Sequence, residues 1–309
     1  MRAADAVLRK AILAAARNRV LGRFVQRHGM RLGAARFVAG TTLDDCVAAV
    51  RRLNADGLHA NTTLLGEGVD DAGSARAVTA EYATILRRLA DEQLGCNVAL
   101  KLTHLGLVID EELAFENVAA VVREAAELGN FVRIDMEDSP WVDATLRIFR
   151  RLREAGLDNV GTVLQAYLYR TPRDLEELLP LTPNLRLVKG AYLEPPDVAF
   201  PRKADVDAAY VRLLERTLTG GGHTAVATHD EAIIRHALDF AARSRVARDR
   251  FELQMLYGVR PQRQRELARE GYKVLVATPF GPDWYPYLMR RLAERPANLA
   301  FFVRSVVRR

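Results

Sequence analysis

Short β-rich runs alternate with helical patterns along almost the whole chain, and that alternation constrains the fold more than any other feature. The runs read GLHANTTLLG (57–66), NVALKLTHLG (97–106), FVRIDME (131–137), VGTVLQAYL (160–168), LRLVKGAY (185–192), TAVATH (224–229), FELQMLYG (251–258) and YKVLVATPFG (272–281). Between them stand segments such as ARAVTAEYATILRRLADE, AFENVAAVVREAAELG and DEAIIRHALDFAARS, whose apolar residues recur every three or four positions as in an amphipathic helix. Eight strand–helix units over about 250 residues predict an α/β fold, a (β/α)8 barrel of TIM type. An open doubly wound sheet is disfavoured, because the early strands carry neither a GxGxxG turn nor a Walker-type loop. Residues 1–56 read as extra N-terminal helices and 57–309 as the barrel with a C-terminal helix, the whole forming one domain.

Bulk properties exclude several classes. Hydrophobic residues at 49% and charged residues at 27% rule out global disorder. A net charge of +6 invites a nucleic-acid reading, but the basic residues are dispersed and never form a dense run with interleaved aromatics, so no specific nucleic-acid partner is expected. Cys46 and Cys96 are far apart and lack metal-ligand spacing, which reads as two thiols in a reducing cytoplasm. No apolar run approaches the ~18 residues that span a bilayer. The Arg-rich start, MRAADAVLRKAILAAARNRVLGRF, superficially resembles a transit peptide, yet an amphipathic first helix explains the same pattern.

In a barrel of this kind the site forms at the C-terminal strand ends. Lys101, Asp135, Glu137, Gln165, Lys189, Thr228, His229 and Gln254 all fall in or just after predicted strands. The lysines are informative, because the 45 Lys and Arg residues include only five lysines, and Lys101 and Lys189 lie in the middle of strand runs. A cation projecting into a barrel needs an anion, either a protein carboxylate such as Asp135 or Glu137 or a bound ligand. His229 has no second histidine at metal spacing, so no metal site is expected. No Gly-x-Ser-x-Gly elbow or Cys–His context for covalent catalysis is present. Cations and amide-type donors with few acid–base groups suit an anionic substrate and a phosphate-bearing organic cofactor that carries the reaction.

After the eighth strand comes DWYPYLMRRLAERPAN (283–298), where Tyr287, Arg290, Arg291 and Glu294 share one helical face. Forked guanidinium groups there suit bidentate capture of a carboxylate. The last segment, ANLAFFVRSVVRR, reads as a second amphipathic helix.

Taken together, VALKL (98–102), IDMED (134–138), VLQAYLYR (163–170), RLVKGAY (186–192), ATHD (227–230), FELQMLYG (251–258) and DWYPYLMRRLAERPAN resemble the proline dehydrogenase family, FAD enzymes with a distorted (β/α)8 barrel, in that family's order. The resemblance implies that Arg290, Arg291 and Lys101 bind a substrate carboxylate. It implies that Asp135 is the active-site aspartate and Arg186 the arginine beside flavin N5. Met136, Gln165, the Val188–Lys189–Gly190–Ala191 stretch, Thr228, His229, Gln254 and Glu294 match FAD contacts, Met136 lying by the isoalloxazine ring. Glu67 matches a gate that pairs with Arg290 when the site closes, and Tyr287 an aromatic wall. The reaction implied is hydride transfer from C5 of L-proline to flavin N5, with electrons passed on to a quinone. A cytoplasmic protein with a peripheral encounter at the inner face of the membrane follows from quinone use.

Two pocket regions depart from the family pattern. Where its eighth strand has Tyr-x-Pro-Tyr-Gly, this chain has ATPFG, placing Ala277 and Phe280 at the tyrosine positions. Where its first strand has Asp before Leu-Gly-Glu, TTLLGE places Thr63. The expected pocket is therefore larger and less acidic, and hydroxyproline, a larger cyclic imino acid or an open-chain amino or hydrazino acid stand as alternative substrates. A non-catalytic flavin-binding barrel is the alternative from another class, opposed by the retention of both Asp135 and Arg186.

Overall fold

The computed structural model describes residues 34–294, of which 290–294 are described by their backbone alone. All eight strand runs form strands: β1 (His59–Leu64), β2 (Cys96–Leu100), β3 (Val132–Ile134), β4 (Val160–Gln165), β5 (Asn184–Val188), β6 (His223–Ala227), β7 (Phe251–Leu256) and β8 (Val274–Phe280). They are parallel, pair in sequence order and close through β1 and β8, so the barrel predicted from alternation is present. Most are shorter than their sequence runs, because the C-terminal residues of each run bend away to build the mouth.

Helices follow every strand. Ahead of β1 lies α1 (Leu43–Ala55); then come α2 (Ala72–Asp91), α3 (Glu111–Glu127), α4 (Val142–Glu154), α5 (Thr171–Leu178), α6 (Lys203–Thr219), α7 (Glu231–Arg243), α8 (Pro261–Arg269) and α9 (Trp284–Glu294). Their starts follow ordinary capping chemistry: Thr42 and Asp45 form a capping box on α1, and Asp71 and Asp110 cap α2 and α3 by accepting from backbone amides. Of the N-terminal helices expected over 1–56, only α1 and the turn Ala34–Arg36 fall in the described part; residues 1–33 and the ANLAFFVRSVVRR segment lie outside it.

Alternation along the strands separates two environments. Outward residues such as Thr62, Val98, Leu187 and Val276 pack against the helices, where the main apolar core sits. Inward residues are unusually polar. Arg133 in β3, 1% exposed, donates to Thr162 O and Asn184 O at 3.0 and 2.7 Å and lies 4.9 Å from the Phe131 ring. Glu252 in β7, 3% exposed, accepts from Gln254 at 2.6 Å and faces Lys273 at 3.1 Å. Buried ions of this kind are tolerated only with partners in place. They give the barrel a polar floor beneath the site.

A second, smaller cluster, formed by Phe37, Val38, Leu65, Trp284, Leu288 and Met289, fastens the segment before α1 to α9 across the mouth.

Candidate active site

At the C-terminal strand ends lies a cavity of about 580 Å³, within the range of small-molecule and cofactor sites. Of the sequence-predicted residues with described side chains, all but Glu137 and Phe280 line it: Thr63, Glu67, Lys101, Asp135, Met136, Gln165, Arg186, Val188, Lys189, Gly190, Ala191, Thr228, His229, Gln254, Ala277 and Tyr287. Arg290, Arg291 and Glu294 belong to α9, but their side chains lie outside the described residues, as does the expected Glu67–Arg290 pair.

The centre of the wall is an ion pair. Arg186 in β5 donates through Nη1 to Asp135 Oδ1 at 2.7 Å and through Nη2 to Asn61 Oδ1 at 2.6 Å. Its Nε is buried and has no hydrogen-bond partner among the described residues. A buried donor left open in a cavity wall suits an acceptor on a ligand. Asp135 sits just past β3, where its amide is held by Leu100 O at 2.8 Å.

Neither lysine pairs with Asp135 or Glu137, the protein partners expected from the sequence. Lys101 pairs with Glu67, which arrives on the loop after β1. Lys189 binds Asp207 at 2.5 Å and Asp230 at 3.0 Å, carboxylates at the start of α6 and the cap of α7. Those partners are distant in sequence, so only the closed barrel brings them together. Glu137 is turned away from the cavity and accepts from the amide and hydroxyl of Thr103 at 3.1 and 2.7 Å; its burial raises the carboxyl pKa despite nearby Lys101.

His229 Nε2 accepts from the Leu256 amide at 2.9 Å, which ties the ring to the end of β7. Gln165 is fixed by donating to Glu137 O at 2.9 Å. Gly190 has φ +110°, and a Cβ there would lie 2.2 Å from the Tyr167 ring. Only glycine lets this backbone lie flat on the tyrosine at the cavity edge.

The two departures resolve differently. Ala277 and Thr63 both face the cavity, on neighbouring strands in which Asn61 is opposite Ala277 and Thr63 opposite Pro279. That stretch of wall is small and uncharged. Phe280, in contrast, is 1% exposed in the core between sheet and helices, and the expectation that it occupies a pocket position is corrected. It stands an odd number of positions from Ala277, and strand alternation turns it outward.

Several lining residues escaped the sequence reading. Asn61 was legible in principle, as an amide two positions before Thr63 on the same strand face. Phe37 carried no signal, since it reaches the cavity only because the segment before α1 crosses the mouth. Among the described residues, no cluster of His, Cys, Asp and Glu is placed to hold a metal, and no helix is long and apolar enough to cross a membrane.

Comparison with known proteins adds a family to this geometry. A family model described as proline dehydrogenase matches residues 46–304. Proline dehydrogenase 1 of Bacillus subtilis subsp. natto is 44% identical over 303 residues, covering 98% of this chain and 100% of that protein. Proline dehydrogenase of Deinococcus radiodurans is 42% identical over 308 residues, 98% of this chain and 99% of that protein. Among solved structures, proline utilization A from Bdellovibrio bacteriovorus inactivated by N-propargylglycine superposes with a TM-score of 0.80 at 22% identity, covering 88% of this chain and 34% of that longer one. At that identity the structural match speaks for the fold.

Proposed function

The chain belongs to the proline dehydrogenase family, and on that premise we propose that it is an FAD-dependent dehydrogenase whose barrel-mouth cavity oxidises L-proline to 1-pyrroline-5-carboxylate. The observation that carries this reading is the Asp135–Arg186 ion pair in the cavity wall. FAD, when bound, supplies the two-electron acceptor for the hydride leaving C5 of the substrate. Met136, Gln165, Val188, Lys189, Gly190, Ala191, Thr228, His229, Gln254 and Glu294 would hold it.

The protein's own work is positioning and charge placement. Lys101, with Arg290 and Arg291 from α9, binds the substrate carboxylate, and Tyr287 closes one side of the ring pocket. Fixing a small amino acid in this way removes orientational freedom that otherwise adds several kcal/mol to a barrier. Glu67, on the loop after β1, engages Lys101 and acts as the gate. Arg186, oriented by Asp135, supplies a fixed positive charge where negative charge develops on the acceptor. The apolar lining, including Phe37, Leu64, Val163 and Met255, excludes water.

Electrons leave to a quinone, which places the protein in the cytoplasm with a peripheral encounter at the inner face of the membrane. The small, uncharged wall of Thr63, Ala277 and Pro279 favours a second substrate reading, in which hydroxyproline or a larger cyclic imino acid is also accepted. Anaerobic titration of the FAD-loaded protein with L-proline tests the first reading: bleaching of the oxidised-flavin band is expected at millimolar proline or below. A flavin spectrum unmoved by proline but bleached by another imino acid would replace the substrate and leave the chemistry. A spectrum unmoved by any amine would reduce the protein to a flavin-binding barrel.

A further inference from the structure

Arg186 is held from two sides, and the second side is neutral. Opposite the Asp135 carboxylate stands the amide of Asn61, 2% exposed, whose Oδ1 takes the Nη2 proton at 2.6 Å. A guanidinium only donates, so the Asn61 oxygen must face it and the Asn61 NH2 must point away. That NH2 meets Asn97 Oδ1 in the neighbouring strand, where Asn61 and Asn97 are register partners. Asn97 lines a separate cavity of about 370 Å³ at the opposite end of the barrel, with His59 and Lys273. One chain of hydrogen bonds thus crosses the barrel from Asp135 through Arg186 and Asn61 to Asn97.

Asparagine is a poor strand residue, and a buried amide is costly unless both of its ends are satisfied. Two asparagines face each other here at adjacent strand positions inside the barrel. A purely structural filler would be met more simply by Val, Ile or Thr. What the pair provides is a neutral acceptor that locks the guanidinium plane without adding a second negative charge.

We propose that Asn61, oriented by Asn97, is the positioning residue that fixes the Arg186 guanidinium in the cavity wall while leaving its positive charge only partly neutralised. The inference rests on the functional reading above, since the charge matters because a flavin would be reduced beside it. Asp at position 61 would preserve the acceptor but place two carboxylates on one guanidinium, whereas Ala would preserve the charge and release the orientation.

The test uses the full chain loaded with FAD and reads the flavin reduction potential by anaerobic dye-coupled titration, beside kcat, KM, FAD content and thermal midpoint. Asn61→Asp is expected to disfavour flavin reduction at least about tenfold, a drop of about 30 mV for a two-electron couple. Asn61→Ala is expected to lower kcat at least tenfold with KM for proline changed less than threefold. Asn97→Leu, outside the site cavity, is expected to lower kcat in the same sense, by less, with full FAD content. Potentials that coincide with wild type in Asn61→Asp, together with unchanged kcat in Asn97→Leu, would overturn the inference while leaving the dehydrogenase reading intact. Variants that all lose the fold would make the pair a structural element and overturn it as well. Failure of the wild-type protein to take up FAD would sink both readings.

Discussion

Arg186 and Asp135 meet at 2.7 Å across an intervening strand: Arg186 lies in β5 opposite Val163 of β4, and Asp135 reaches over from the end of β3. No local sequence relationship produces this pair; the curvature of the barrel does. Both side chains face the cavity, so the pair is placed to act on a ligand and to hold its own geometry. Replacing Asp135 by Asn keeps a hydrogen-bond acceptor but removes the carboxylate charge, and Arg186→Lys keeps the charge but loses the fork that binds Asp135 and Asn61 together. Each is expected to lower kcat/KM for proline about a hundredfold or more. Steady-state kinetics on FAD-loaded protein of matched thermal midpoint checks this; losses under threefold would remove the pair from the mechanism.

Ala277 should set the size limit of the pocket. It faces the cavity opposite Asn61, with Thr63 and Pro279 next along the same wall. Ala277→Tyr fills that space, and the expected result is a change in relative specificity of about tenfold in favour of proline over hydroxyproline or a six-membered imino acid. Competition kinetics with the three compounds measures it. An unchanged ratio would mean that substrate rings lie elsewhere in the cavity.

Glu252 should make the barrel floor acid-sensitive. Burial alone would raise its pKa, but the neighbouring His223 ring, 3.5 Å away, and the charges of Lys273 and Arg133 outweigh burial and bring it down to about 2 from 4.5. A depressed carboxylate contributes stability that is fully present above its unfolded value, near 4.5, and is lost as pH falls through about 2. At one pKa unit per 1.36 kcal/mol the contribution is roughly 3 kcal/mol. Glu252→Gln is therefore expected to be less stable at pH 7 by about that amount, with the gap to wild type narrowing steadily between pH 4.5 and 2. Urea midpoints at pH 7, 4 and 3 report it; a constant gap would mean that the loss at pH 7 is not electrostatic.

Gly161 should resist even the smallest enlargement. A Cβ at that position would lie 2.4 Å from Arg133 Nη1 and 2.4 Å from Asn184 O. One obstacle is backbone and the other is a buried cation tied to two carbonyls, so neither yields without breaking a hydrogen bond. Gly161→Ala is expected to destabilise by about 1–3 kcal/mol, the usual cost of overpacking a tight core. Chemical denaturation followed by circular dichroism measures it, and a neutral result would show that Arg133 has room to move.

Strand positions were read correctly because the alternation of β-rich runs with amphipathic helices leaves a chain of this length little choice but to bury eight parallel strands inside a ring of helices. Most candidate site residues were legible for a related reason: in such a barrel, polar groups at strand ends mostly face the mouth, Glu137 being an exception. Scarce lysines made Lys101 and Lys189 conspicuous in a chain that otherwise favours arginine. Their partners were not legible. Glu67, Asp207 and Asp230 come from loops and helix starts that approach the lysines only after the strands have closed.

The order and direction of the strands and most of the polar groups at the mouth were thus determined by sequence alone, because hydrophobic periodicity and β propensity are local properties. Tertiary structure decided which of those groups touch, that Phe280 turns outward while Ala277 turns in, that Phe37 joins the cavity from a distant segment, and that Asn61, bonded to Asn97, holds Arg186. Those outcomes depend on barrel register and curvature, which only the closed sheet fixes.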